Sequence, residues 1–192
     1  MSASTDLDFI ASAVRRRESQ DVTPWPIAVS WAIYTAIGFT LADWYPARCW
    51  IWFFGAGLLN GFFSLWVGRR FAARSGVVDV EGKRRVALHW SAVWAACIAV
   101  IAIANTSRFK MDPNLISQFI VLSIGIIYFL AGVHFDRRYM PISFVLMLGA
   151  VVSGILPHWG WTITGFAAGV GLVLLAFVPR TPVKLPGAEE AK

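Results

Sequence analysis

LISQFIVLSIGIIYFLAGVHFDRR, residues 115–138, decides what kind of chain this is. Residues 115–134 pass without one acidic or basic side chain apart from the closing His134, and Asp136, Arg137 and Arg138 then end the stretch. A run of about 20 apolar residues is what a helix needs to cross roughly 30 Å of hydrocarbon. Backbone polar groups in hydrocarbon must be satisfied internally, so a single run of this length reads as a helix.

Five more runs of the same character lie at 25–44, 48–67, 86–105, 142–157 and 159–178. The fifth is short, at 16 residues, and Pro157-His158-Trp159-Gly160 separates it from the sixth. Neither of these two runs holds an internal charge, so the pair reads as two spans rather than one re-entrant unit. Hydrophobic residues make up 57% of the 192 residues, and the mean hydropathy is +0.62. The expected fold is an all-α polytopic bundle of six transmembrane helices, residues 25–178, with no room for a separate soluble domain of ordinary size. The first 24 residues are polar and no small-residue cleavage site follows the first run, so that run is expected to remain as a span.

Charge sets the expected threading. Basic residues cluster before span one (Arg15, Arg16, Arg17), after span two (Arg69, Arg70, Arg74, Lys83, Arg84, Arg85), after span four (Arg137, Arg138) and after span six (Arg180, Lys184, Lys192). Only Arg48, Arg108 and Lys110 fall on the other side. Fourteen against three places both termini in the cytoplasm by the positive-inside rule, and the expected location is a bacterial inner membrane. The net charge of +6 is then topogenic charge beside anionic lipid, not a nucleic-acid surface. Trp25, Trp44, Tyr45, Trp50, Trp159 and Trp161 fall near span ends, where amphipathic rings suit the headgroup region.

Residues 1–24 carry a second signal. Thr5 precedes Asp8 by three positions, a weak capping box. Leu7, Ile10, Ala13 and Val14 share a helical face before Arg15–Arg17. A short amphipathic helix on the cytoplasmic leaflet is expected. The tail 179–192 is rich in Pro, Gly and Glu and is expected to be disordered.

A threefold pattern runs through the chain. Gly57 precedes Arg69, Gly125 precedes Arg137 and Ala168 precedes Arg180, each by twelve residues. This spacing suggests three helical hairpins in series around a pseudo-threefold arrangement, each closing on arginine. All three units run the same way, unlike inverted transporter repeats.

The spans are poor in reactive groups. Asp43 is the only acid close to one, at its outer end. Ionisable groups inside a membrane normally mark ion or proton paths, so their scarcity argues against a coupled pump and against an intramembrane hydrolase. His89 and His134 lie near one end of spans three and four, where neighbouring antiparallel helices would bring them together. Two imidazoles would ligate a haem, and with Asp136 they would hold a metal; interfacial capping is the plainer role. Neither HExxH nor CxxCH occurs, and no cofactor is expected. Cys49 and Cys97 sit at different depths without a CxxC and read as small packing residues.

Trp31, Trp90 and Trp94 are not explained by an interfacial belt, and Asn60 is polar at mid-membrane. Together they are the candidate lining of a ligand cavity, although Asn60 bonding across a helix interface is the simpler reading. Gly57-xxx-Gly61, Gly149-xxx-Ser153, Gly165-xxx-Gly169 and Ala32-xxx-Ala36 are close-approach faces, for packing within the bundle or against a second copy.

The segment FIASAVRRRESQ, the PWP entry, six spans and VHFDRR together resemble small bacterial membrane proteins of uncharacterised function. In architecture alone, the hairpin plan resembles HdeD-type acid-resistance membrane proteins. Size, span count and the Ala32-xxx-Ala36 face are similar to those of the substrate-binding subunits of energy-coupling vitamin transporters. That likeness implies that the face on span one docks a coupling subunit. No site residue carries over from these resemblances. The sequence therefore points first to a non-enzymatic protein working by protein or lipid contact at its cytoplasmic face. A small-molecule-binding or transporter subunit comes second, and a haem or metal protein third.

Overall fold

The computed structural model describes residues 23–75, 80–106, 111–156 and 158–177. Residues 1–22 of the expected N-terminal amphipathic segment (1–24) and the whole expected tail (179–192) lie outside the described residues, as do Arg108 and Lys110.

Among the described residues, all regular structure is helical. The order is α1 (Trp25–Trp44), α2 (Pro46–Ile51), a π turn (Trp52–Ala56), α3 (Gly57–Ser75), α4 (Val80–Thr106), α5 (Pro113–His134), a 3-10 turn (Arg137–Tyr139), α6 (Met140–Ile155) and α7 (Gly160–Phe177). Six helical stretches are long and apolar enough to cross a membrane: Trp25–Trp44, Pro46–Arg74, Arg84–Thr106, Pro113–His134, Arg137–Ile155 and Gly160–Phe177. Each overlaps one of the six expected runs, and the fifth starts five residues earlier than expected. The second is longer than expected because α2, the π turn and α3 join into one stretch.

Proline sets many of the helix starts. It occupies the first turn of α1, α2, α5 and α6, where its missing N–H costs no intrahelical bond. Asp112 adds a side-chain cap to α5, accepting from the backbone N–H of Asn114 at 2.7 Å and of Leu115 at 3.3 Å. Several serines and threonines within the spans turn back on their own helices. Thr35, Thr40, Ser64, Ser123 and Thr164 each donate to the carbonyl four residues earlier, which removes their polarity from the apolar surroundings.

Neighbouring helices run antiparallel. On α1 and α7, Asp43 meets Thr162, Ala32 meets Gly169 and Trp25 meets Phe177. On α5 and α6, Asn114 meets Ser153 and Gly132 meets Met140. The packing order is α3–α1–α7–α6–α5–α4. The closest associations are α1 with α7 and α5 with α6. These two closest contacts cross between the expected hairpins, while the consecutive spans one and two, three and four, and five and six are also neighbours.

The reason is where the small residues fall. A Cβ on Gly165 would lie 2.5 Å from Phe39 Cβ and 3.0 Å from the Thr35 carbonyl oxygen. One on Gly169 would lie 3.2 Å from the Ala32 carbonyl oxygen. The Ala32-xxx-Ala36 and Gly165-xxx-Gly169 faces therefore meet each other. Gly149 receives the Thr164 side chain, and Gly160 lies against the Ser153 backbone, which joins α6 to α7. Lipid offers no hydrophobic drive between helices, so dispersion contacts at such close approaches hold the core. Gly61 differs, because a Cβ there would meet nothing within 4 Å. It is not a close-approach residue within this chain.

Candidate functional site

The polar and aromatic side chains gather in three places: the α1–α3 seam, the α4–α5 junction and the two ends of α7.

At the α1–α3 seam, Trp31 Nε1 donates to Ser64 Oγ at 3.0 Å. Tyr34 Oη donates to the Phe53 carbonyl at 2.9 Å, and Trp52 Nε1 donates to the Tyr34 carbonyl at 3.0 Å. The Phe53 carbonyl that accepts from Tyr34 lies within the π turn, an irregular stretch of the second span. The Tyr34 and Trp52 rings stack with centroids 6.2 Å apart. Gly57 admits the Tyr34 hydroxyl, which would stand 2.9 Å from a Cβ at that position. Trp94 reaches the same point from α4, with Cη2 3.7 Å from where that Cβ would be. Asn60 Nδ2 is buried without a hydrogen-bond partner.

Of the four expected cavity residues, Trp31, Asn60 and Trp94 thus approach one seam. Trp90 packs in another cluster, its ring 5.0 Å from Tyr128 and 5.8 Å from Tyr139. Two apolar grooves flank α1, one between Leu41, Arg48 and Trp52, the other between Ile33, Ile37 and Phe166. Both are open, and none of the four residues lines either. Tyr34, Trp52 and Phe53 were missed as members of the seam. The glycines at 55 and 57 behind a Pro46 start were the available signal of an irregular helix.

At the α4–α5 junction, His89 Nε2 lies 3.0 Å from the Ile127 carbonyl oxygen. The Phe135 ring stands beside both histidines, 5.0 Å from His89 and 6.5 Å from His134. The two histidines do share one end of the bundle, but one nitrogen of His89 is held by backbone. Asp136, the expected third ligand, pairs with Arg138 at 2.8 Å. Among the described residues, no group of three or more His, Cys, Asp or Glu is placed to hold a metal ion.

The ends of α7 are tied by charge. At its start, Asp43 Oδ2 accepts from the Thr162 N–H and hydroxyl, each at 2.7 Å. Trp161 Nε1 donates to Asn114 Oδ1 at 2.9 Å, bringing α5 to the same point. At its finish, Arg138 Nη1 donates to the Leu175 carbonyl at 3.2 Å while its guanidinium grips Asp136. An acid at the N-terminus and a cation at the C-terminus both suit the helix dipole. Asp43 is therefore a cap for α7, a structural role.

The same end as Arg138 carries six exposed arginines, Arg69, Arg70 and Arg74 on α3, Arg84 and Arg85 on α4, and Arg137, while Arg48 is exposed at the opposite end. Arg70 lies over the Trp66 ring, 4.4 Å from its centroid. Glu81 pairs with Arg85 at 3.2 Å and with Arg84 at 4.0 Å. These pairs are exposed, and such pairs hold little energy of their own. Against known protein families, curated proteins and solved structures, the chain shows no match.

Proposed function

We propose that this is a non-enzymatic, multi-pass protein of a bacterial inner membrane, with both termini in the cytoplasm. It acts by contact at its arginine-rich end, chiefly with anionic lipid headgroups, and that face also suits a protein partner. The observation that carries the reading is six exposed arginines gathered at one end of an apolar bundle. Their orientation follows the positive-inside rule. Juxtamembrane basic clusters draw anionic lipid with about 1 kcal/mol per side chain near the surface. Polar groups at the span ends support the same view: Asp43, Asn114 and Trp161 are engaged in joining or capping helices.

Native mass spectrometry of the purified protein with its retained lipids tests this. Replacing Arg69, Arg70, Arg84 and Arg85 by Gln should strip bound phosphatidylglycerol and cardiolipin. Unchanged lipid retention, together with unchanged protein complexes on deletion of residues 1–20, would remove the proposal.

One observation favours a second reading, a small-molecule-binding or transporter subunit. Asn60 Nδ2 is a buried donor without a partner, on the helix that Trp31 meets. A bound ligand carrying an acceptor would satisfy it. A purified sample that retains no small molecule by the same native mass measurement would count against this reading.

A further inference from the structure

Arg48 stands apart from the other arginines. Among the described residues it is the one arginine at the end of the bundle opposite the arginine-rich face, exposed on α2. The two acids described at its end are already engaged, Asp43 as the cap of α7 and Asp112 as the cap of α5. Among the described residues, no ion pair or side-chain hydrogen bond engages the Arg48 guanidinium. Its neighbours in sequence, Trp44, Tyr45 and Trp50, are exposed rings of the kind that sit at headgroup level. A guanidinium at that level is matched to phosphate, which it grips with two parallel bonds.

Two apolar grooves start from this level, and Leu41 is the wall they share. Arg48 itself lines the first, with Ile51, Trp52, Gly55 and Ala56. Gly38 explains its shape. A Cβ there would lie 2.8 Å from the Phe53 ring and 2.9 Å from the Trp52 ring, so both rings press onto α1. Small residues are left on the other side of the π turn, and a Cβ on Gly55 would meet nothing within 4 Å. Such turns are rare and gather at functional sites. The second groove lies between α1 and α7, along Ile33, Ile37, Leu41 and Phe166. Its one hydroxyl, on Thr40, is bonded to the Ala36 carbonyl at 2.8 Å, so the groove offers hydrocarbon alone.

Length, number and charge identify the occupant. The first groove runs from Arg48 to Ala56 and the second from Leu41 to Ile33, eight positions each. Eight positions of helix are about 12 Å, most of the roughly 15 Å of hydrocarbon in one leaflet. The grooves are nearly equal in volume, about 430 and 400 Å³. Two matched apolar grooves that meet beside a single cation fit a molecule with two chains and one phosphate, a diacyl phospholipid. A helix of a second copy, about 10 Å across, presents one surface and would bridge the two grooves without filling them. A zwitterionic headgroup brings a cation of its own to its phosphate, whereas phosphatidylglycerol brings none. The unpaired Arg48 therefore favours the anionic lipid.

We propose that Arg48 and the two grooves beside Leu41 bind one anionic diacyl phospholipid, its phosphate on Arg48 and one chain in each groove. This site lies at the end opposite the arginine-rich face and does not rest on the proposed function, so either can fail alone. The full-length protein in phosphatidylcholine nanodiscs tests it, with a trace of phosphatidylglycerol carrying a photoreactive diazirine in one chain. Peptide mass spectrometry locates the labelled residues. Labelling should concentrate on residues 33–41 and 51–56, several-fold above the exposed Phe144 and Leu148 of α6. Arg48→Gln should lower it several-fold with helicity retained, since the side chain is exposed. Gly55→Phe should do the same by filling the first groove. A phosphatidylcholine probe with the same diazirine should label the grooves several-fold less. Replacing Arg69, Arg70, Arg84 and Arg85 together by Gln should leave groove labelling unchanged, which separates this site from lipid held at the other end. Even labelling around the bundle, equal labelling by the two headgroups, or no change in Arg48→Gln overturns the proposal. So does displacement of the probe by inorganic phosphate. Disulfide dimers through Ile37→Cys, in a Cys49→Ser and Cys97→Ser background, would put a second copy on this face and overturn it too.

Discussion

Asp43 and Thr162, 119 residues apart, are joined by two hydrogen bonds of 2.7 Å, from the Thr162 N–H and from its hydroxyl to one carboxylate oxygen. The bonds tie the end of α1 to the first turn of α7, the pair in closest association. They also satisfy an N–H that the first turn of a helix leaves without an intrahelical acceptor. Replacing Asp43 by Ala should cost about 0.5–2 kcal/mol, the range for loss of an N-cap. Asp43→Asn keeps an acceptor and should cost less. Thermal unfolding in detergent, followed by circular dichroism, checks the order.

Gly165 and Gly61 make a matched pair. At Gly165 an added methyl would meet Phe39 Cβ at 2.5 Å and backbone at 3.0 Å, so α1 and α7 must separate. Gly165→Ala should destabilise by about 1–3 kcal/mol, the cost of overpacking. At Gly61 the same methyl meets nothing within 4 Å. Gly61→Ala should be neutral or stabilise by up to about 1 kcal/mol through helix propensity. Equal effects at the two sites in chemical denaturation would contradict the packing described.

Arg138 holds two elements at once, the Asp136 carboxylate and the Leu175 carbonyl. Both partners in the ion pair are well shielded, with 18% and 8% of their side chains exposed. Removing the cation leaves Asp136 shielded without this guanidinium. Arg138→Ala should cost about 2–3 kcal/mol, the scale of hydrogen bonds to charged groups. Arg138→Lys keeps the charge but not the fork, and should recover only part of it. Limited proteolysis after residue 177 should quicken in both variants.

Trp31 and Asn60 predict opposite signs. Trp31→Phe loses the bond to Ser64 and should cost about 0.6–1.7 kcal/mol, the range for polar contacts between membrane helices. Asn60→Leu removes a buried donor that has no partner and should be neutral or stabilising. A marked loss of stability in Asn60→Leu would show that Nδ2 has a partner in the membrane.

Much of the fold was legible along the chain because crossing a membrane is a demand on consecutive residues. An uncharged run such as 115–134 and the arginines that close it are local facts, so span number and approximate bounds could be read directly. The PWP entry and Asp112-Pro113 likewise mark helix starts through backbone chemistry that acts within one turn. The small-residue faces were visible too, since Ala32, Ala36, Gly165 and Gly169 repeat at helical spacing. Their pairing was not visible. That Ala32 faces Gly169, and that Gly61 faces nothing, depends on which helices are neighbours. Connection in sequence does not fix strength of contact when dispersion at close approach decides it, so the closest pairs, α1 with α7 and α5 with α6, were not legible along the chain. Asp43 became a cap and Trp90 parted from Trp31 through the same long-range choices. One sequence thus determined that the chain is six apolar helices with arginine gathered at alternate connections. Tertiary packing alone decided that α1, α5, α6 and α7 form the dense centre and that α4 stands with a bare alanine line outward.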